Sequence, residues 1–205
     1  MKDFLLFIFT KLLINVKNKK LLSLLFLISA AVLSAFLDAL TVTAVLIAVA
    51  VGFYSLYQEN KASLETDDLD METEEFKRFL RNLLMHGAVG TALGGVSTIV
   101  GEPQNLLIGS VADWDFIEFF IRMLPVSLPV FIFGIFTCYL IEKFKFVGYG
   151  AELSPKIRDI INDFGAKEDA ARTTSQKTKL LIQFLVALIL IFALAFNVAA
   201  VGLIG

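Results

Sequence analysis

From Leu21 to Tyr57 the chain is apolar apart from one carboxylate, Asp38. A membrane span takes about 20 apolar residues, so this run is too long for one span and just short of two. It has to break, and the break falls near Asp38. Two half-helices meeting there fit the length, as a re-entrant hairpin or a broken pair. Such irregular backbone is tolerated at membrane depth only where protein or a wet cavity covers it.

Composition points the same way. Hydrophobic residues make up 57% of the 205 residues, with 20 Phe. Soluble domains sit near 45–50%. A net charge of -2 gives no footing for a nucleic-acid partner. The single cysteine, Cys138, lies in an apolar run and offers neither an intrachain disulfide nor a metal site.

The chain divides into seven segments. Residues 1–20 are a poor secretory signal, because Lys11 interrupts the apolar run and no small-residue cleavage site follows. At helical spacing Asp3, Thr10, Lys11, Asn15, Lys17 and Asn18 share one arc. That predicts an amphipathic helix in the membrane interface, with a weak first span as the alternative. Residues 21–57 form the hairpin and 58–75 an acidic cytoplasmic loop containing "ETDDLDMETEE". Residues 76–122 begin with a basic interfacial helix, Phe76 to Met85, and continue as a glycine-rich discontinuous helix. Gly87, Gly90, Gly94 and Gly95 read as close helix packing, and His86 as an interfacial residue. Residues 123–142 form a spanning helix with Pro125 and Pro129 near its start, 143–179 a cytoplasmic loop, and 180–205 a last span. That last run stops at Gly205 without a flanking charge, as expected of a truncated chain or part of a longer one.

Lys17, Lys19, Lys20, Lys77, Arg78, Arg81, Lys143, Lys145, Lys177 and Lys179 cluster at the ends of the apolar runs, whereas the turn at Trp114 has only Arg122. The positive-inside rule then puts the basic ends in the cytoplasm and Trp114 outside. This requires Leu21 to Tyr57 to enter and leave on one side.

Carboxylates within apolar segments are costly and mark function. Asp38 stands near Ser34, Thr41 and Thr43. Glu102 stands in "VGEPQNLLIG", near Ser97, Thr98 and Asn105. Carboxylate, hydroxyl, amide and freed carbonyl oxygens suit a small hard cation, and broken helices supply them in secondary transporters. Gly101 and Pro103 interrupt the helical hydrogen-bond ladder. The plainer readings are that Asp38 caps a helix and that Glu102-Pro103 is a surface turn. A carboxylate that holds either Na⁺ or a proton makes the two compete. Alternate exposure of one such site to the two sides then yields exchange.

"LSAFLDALTV", "LMHGAVGTALGGVSTIVGEPQNLLIG", "EFFIRMLPVSLPV" and "CYLIEKFKFVGYG" closely resemble the NhaB-type sodium/proton antiporters of Gram-negative bacteria. The resemblance runs over essentially the whole chain. It implies an all-α polytopic membrane protein, half of an inverted-repeat transporter with a re-entrant hairpin and a discontinuous helix. It further implies Na⁺/H⁺ exchange by alternating access in the bacterial inner membrane, with no cofactor and with Na⁺ as transported substrate. Expected partners are Na⁺, H⁺, the lipid bilayer and the remainder of a longer chain, and the reading is compatible with a homodimer. The expected ion-binding residues are Asp38, Thr41, Ser97, Thr98, Gly101, Glu102 and Asn105. "GEPQN" resembles the Gly-Thr-Pro-Pro-Asn loop of related carboxylate carriers, which supports Gly101 and Asn105. Glu102 departs from the Thr of those carriers and would repel an anion. Ala39 stands where many relatives have Asn, so no amide ligand is carried over there.

The sequence disfavours three other functions. An anion or organic-acid carrier is disfavoured because the site segments hold no Lys or Arg. An intramembrane aspartyl protease needs two aspartates sharing a proton, and the apolar runs contain only Asp38. A membrane scaffold would have no use for polar residues in broken helices.

Overall fold

The computed structural model describes residues 2–61 and 69–196, and their regular structure is entirely helical. The elements are α1 (Lys2–Asn15), α2 (Lys19–Phe36), α3 (Ala39–Asn60), α4 (Leu69–Gly95), α5 (Pro103–Ala112), α6 (Phe116–Phe144), α7 (Pro155–Ala171) and α8 (Thr174–Ala195). Four of them, α2, α3, α6 and Thr174–Leu194 of α8, are long and apolar enough to cross a membrane. Residues 62–68 of the expected acidic loop and 197–205 of the last run lie outside the described residues.

The long apolar run breaks where its length required, at Leu37 and Asp38. Leu37 is extended, and the Asp38 side chain caps α3. The two arms are longer than half-helices. At 1.5 Å per residue, the 18 residues of α2 and 22 of α3 extend about 27 and 33 Å, close to the roughly 30 Å hydrocarbon core. The apolar run understates both. Asn18 caps α2 by accepting the Leu21 N–H, which draws Lys19 and Lys20 into the helix. The helix α3 runs on through Gln58 to Asn60.

Three more boundaries differ from the sequence reading. First, α4 is one continuous helix of 27 residues that begins within the expected loop, at Leu69. Its first half is core rather than interfacial surface: Phe76, Phe79, Leu80 and Leu83 are buried in the cluster that holds Phe53 and Tyr57. Second, α6 starts at Phe116, where Asp115 accepts the Glu118 N–H at 2.7 Å, and it carries Pro125 and Pro129 in its interior. Third, the 143–179 segment contains α7, whose Ile157 and Ile161 enter the same core.

Contacts along α4 give the helix directions. Gly90 abuts the Leu27 backbone, Gly94 abuts Ala31, and the Thr98 hydroxyl donates to the Ala35 carbonyl. Residues advance together along both helices, so α2 and α4 are parallel. Thr43 meets Thr91 at 3.5 Å, Leu46 meets Gly87, and the Tyr57 ring lies 5.0 Å from Phe76, so α3 is antiparallel to α4. The helices α2 and α3 are thus antiparallel, with the start of α2 and the end of α3 at the same end of the bundle. The helix α6 is antiparallel to α4, with Gly134 beside Leu93 and Glu142 beside His86. Lys19 pairs with Glu142 and Gly148 lies beside Arg78 at one end. Ile99, Phe116, Phe119 and Trp114 cluster at the other, with Phe36.

The helix α1 buries Leu5, Phe9 and Leu13 in this core. Its polar arc meets α7 and α8, with Lys11 paired to Asp169 and Asp3 to Lys179. Lys11 holds the Asp169 carboxyl below its usual value.

The α2–α4 seam depends on missing side chains. A Cβ at Gly94 would collide with the Ala31 backbone, which cannot rotate away, whereas one at Gly52 meets nothing within 4 Å. We expect Gly94→Val to cost about 1–3 kcal/mol or more by overpacking. Gly52→Ala should be neutral or stabilising by up to about 1 kcal/mol. Thermal melts in detergent would separate the two.

Candidate cation site

Two chain breaks lie at the same end of the parallel pair. One is Leu37–Asp38 after α2, and the other is the turn from Val96 to Glu102 between α4 and α5. Parallel packing brings the C-termini of α2 and α4 together there. Each C-terminus carries about half a negative charge from its unsatisfied carbonyls.

The turn folds back tightly on the end of α4. Gly101 packs directly on the Gly95 backbone. Asn105, in the first turn of α5 and 4% exposed, donates through Nδ2 to Gly95 O at 3.1 Å and to Thr98 O at 2.8 Å. Both partners are carbonyls, so the amide nitrogen must face them and Oδ1 is left as an acceptor. A row of hydroxyls continues along the seam. Ser34 Oγ donates to Thr91 O at 2.8 Å, and Thr91 Oγ1 donates to Ala88 O at 2.8 Å.

Glu102 occupies the N-cap position of α5 but makes no side-chain cap hydrogen bond. Its carboxylate turns instead to the end of α4. A Cβ on Gly95 would lie 2.9 Å from Glu102 Oε1, 3.0 Å from Ser34 Oγ and 3.1 Å from Gly101 O. An anion is stabilised at a helix N-terminus and opposed at a C-terminus. Glu102 stands between the two, its backbone at the N-terminus of α5 and its carboxylate beside carbonyl and hydroxyl oxygens at the end of α4.

The expected residues fall into two groups. Thr98, Gly101, Glu102 and Asn105 gather around the end of α4. Asp38 and Thr41 form a separate pair at the hairpin tip, where Asp38 Oδ2 accepts from Thr41 N at 3.0 Å and Thr41 Oγ1 at 3.3 Å. Asp38 therefore caps α3. The link between the groups is the Thr98–Ala35 hydrogen bond. Ser97 donates back to Leu93 O at 3.2 Å within its own turn. Gly95 was assigned only to packing, and Ser34 only to the surroundings of Asp38. Parallel register of α2 and α4 is what brings both against Glu102.

A second polar cluster escaped the sequence reading. Lys19, Ser23, His86 and Glu142 are all buried at the basic end. Lys19 and Glu142 looked like charges flanking apolar runs, and His86 like an interfacial residue. Only the packing of α6 against α2 and α4 turns them inward.

A bundle of apolar helices with two polar breaks at one end defines a polytopic α-helical membrane protein. The whole chain, residues 1–205, matches the model of the family described as bacterial Na⁺/H⁺ antiporter B (NhaB), and it belongs to that family. It is 56% identical to the "Na(+)/H(+) antiporter NhaB" of Marinomonas sp. (strain MWYL1), 54% to that of Saccharophagus degradans and 51% to that of Enterobacter sp. (strain 638). Each match takes in 100% of this chain but only 42–44% of the relative. The chain thus spans less than half the length of these proteins. No solved structure matches it.

Asn105 is the staple of the turn. Asn105→Ala leaves two buried carbonyls without donors, at about 1–3 kcal/mol each where water cannot replace them. Asn105→Asp should be worse, because an ionised carboxylate cannot donate. Hydrogen exchange should show lost protection centred on residues 95–105, with the α3–α4 core unchanged.

Proposed function

We propose that the complete protein to which this chain belongs exchanges Na⁺ for H⁺ across the bacterial inner membrane, and that the α2–α3 tip and the α4–α5 turn form one wall of its cation site. The observation that carries this reading is the placement of Glu102 at the C-terminal end of α4, where its charge and the helix carbonyls favour a cation together. Ser34 Oγ, Gly101 O, Asn105 Oδ1 and the carboxylates of Asp38 and Glu102 are the oxygens on offer. Segments 34–43 and 91–105 contain no Lys or Arg to neutralise them or to hold an anion. The names of the relatives agree with this choice of cargo.

Exchange follows from competition. Na⁺ requires ionised carboxylates, and a proton removes one of them. A protein that exposes the loaded site alternately to the two sides moves one cation against the other. The opposing wall belongs to the rest of the complete protein, where an inverted repeat would supply a second hairpin.

The test uses the complete protein in everted membrane vesicles, with Na⁺-dependent dissipation of a pH gradient as readout. Asp38→Asn and Glu102→Gln should each lower the rate by about tenfold or more at limiting Na⁺, equal to about 1.4 kcal/mol. Glu118→Gln, which removes the partner of Arg122 at the Trp114 end, should leave the rate unchanged. Full activity in both site variants would remove these carboxylates from the mechanism.

A further inference from the structure

The cluster at the basic end has a chemistry of its own. The Lys19 ammonium lies 3.3 Å from Glu142 Oε1 and 3.0 Å from Ser23 Oγ, and Ser23 Oγ donates to the same carboxylate oxygen at 2.6 Å. Lys19 also sits over the Phe79 ring, 4.6 Å from its centroid. His86 Nδ1 is 2.7 Å from Asn82 O and 3.8 Å from Glu142 Oε1. A carbonyl only accepts, so Nδ1 carries hydrogen and the basic lone pair is on Nε2. His86 and Glu142 are each 1% exposed, and His86 Nε2 and Glu142 Oε2 have no hydrogen-bond partner among the described residues.

We propose that Lys19, Glu142 and His86 form a proton-binding site, separate from the cation site, that takes up one proton at His86 Nε2. Lys19 already fills the place a metal cation would take beside Glu142, and the described residues hold no group of three His, Cys, Asp or Glu side chains suited to a metal. A proton is the cation this cluster has room to add. With His86 neutral, Lys19 and Glu142 cancel. The added proton gives the cluster one net positive charge, which Glu142 favours and Lys19 opposes.

A cavity of about 220 Å³ adjoins His86, lined also by Met85, Val89, Thr137, Cys138 and Tyr149. The titratable groups facing it are Lys19 from α2, Cys138 and Glu142 from α6, and Tyr149 beyond α6, whose ring meets the imidazole edge-on at 5.3 Å. Burial pushes the Tyr149 phenol up, so it stays neutral, and Arg81 is the cation acting on it. The helix α3 meets this level with Leu46, packed at Gly87. Under the positive-inside rule this end faces the cytoplasm. The use of the site in exchange rests on the function proposed above, but its protonation does not.

His86 is the only histidine of these 205 residues. The experiment is ¹⁵N-histidine NMR of the complete protein in nanodiscs, with the His86 resonance assigned by its loss in His86→Asn. Between about pH 8 and 5 the resonance should change from the neutral Nδ1–H form to the imidazolium form. Glu142→Gln should move the midpoint down by about one pH unit or more, and Lys19→Met should move it up by a similar amount. A resonance fixed as the neutral Nδ1–H form across that range overturns the inference, as does a midpoint unmoved in both variants. Na⁺-dependent exchange measured in parallel separates the two readings. Exchange with a silent His86 sinks only this one, whereas a titrating His86 without exchange sinks only the proposed function.

Discussion

The fold depends on the close approach of α2 and α4. Inside a bilayer the apolar faces of two helices gain little by leaving lipid for each other, so packing must supply the attraction. Here it does so backbone to backbone. Gly90 faces Leu27 and Gly94 faces Ala31, with no side chain between, and Ser34 and Thr98 add hydroxyl-to-carbonyl bonds across the seam. Contacts this tight admit one register. The third helix, α3, then returns along α4 through Thr43, Leu46 and Tyr57, and α6 closes the other side through Gly134 and Glu142.

Parallel packing has an electrostatic consequence. Antiparallel neighbours largely cancel each other's end charges, but parallel helices add theirs. The ends of α2 and α4 therefore concentrate carbonyl oxygens in one place, and both are followed by a carboxylate rather than a lysine. Asp38 moves its charge onto the start of α3, where it is stabilised as a cap. Glu102 does not do the equivalent for α5. The difference between two superficially similar breaks is that the Asp38 carboxylate caps the helix that follows it and the Glu102 carboxylate does not.

Much of this was legible along the chain, and the limits of legibility are physical. The break at Asp38 followed from length; backbone chemistry at Gly101 and Pro103 pointed to the second, although α4 already ends at Gly95 and Pro103 starts α5. Both are local properties. The starts of α4 and α6 lie ahead of the expected ones because charged residues read as helix boundaries. Glu72, Glu74 and Lys77 continue a helix when one face is apolar, and Pro125 and Pro129 are tolerated within a helix lined by lipid and protein. The grouping of Lys19, Ser23, His86 and Glu142 was illegible for another reason. Each stands near the end of its own apolar run and reads there as a boundary residue. Their burial is a property of three helices at once, and no window on one helix contains it.

The two polar clusters sit at opposite ends of one rigid pair. Lys19 and Ser23 begin α2 and Ser34 lies near its end; His86 lies on α4 and Gly95 ends it. The glycine seam between them cannot slide by a fraction of a turn without driving backbone into backbone. A force applied at one end therefore moves α2 and α4 together rather than past each other. What can yield is the side contact with α6, made through Leu93 on Gly134 and through the Glu142 carboxylate. A charge change at Glu142 acts on that contact, where the bundle is held by polar groups rather than by backbone. The seam holds α2 and α4 as one body, and the buried carboxylate marks the polar contact between that body and α6.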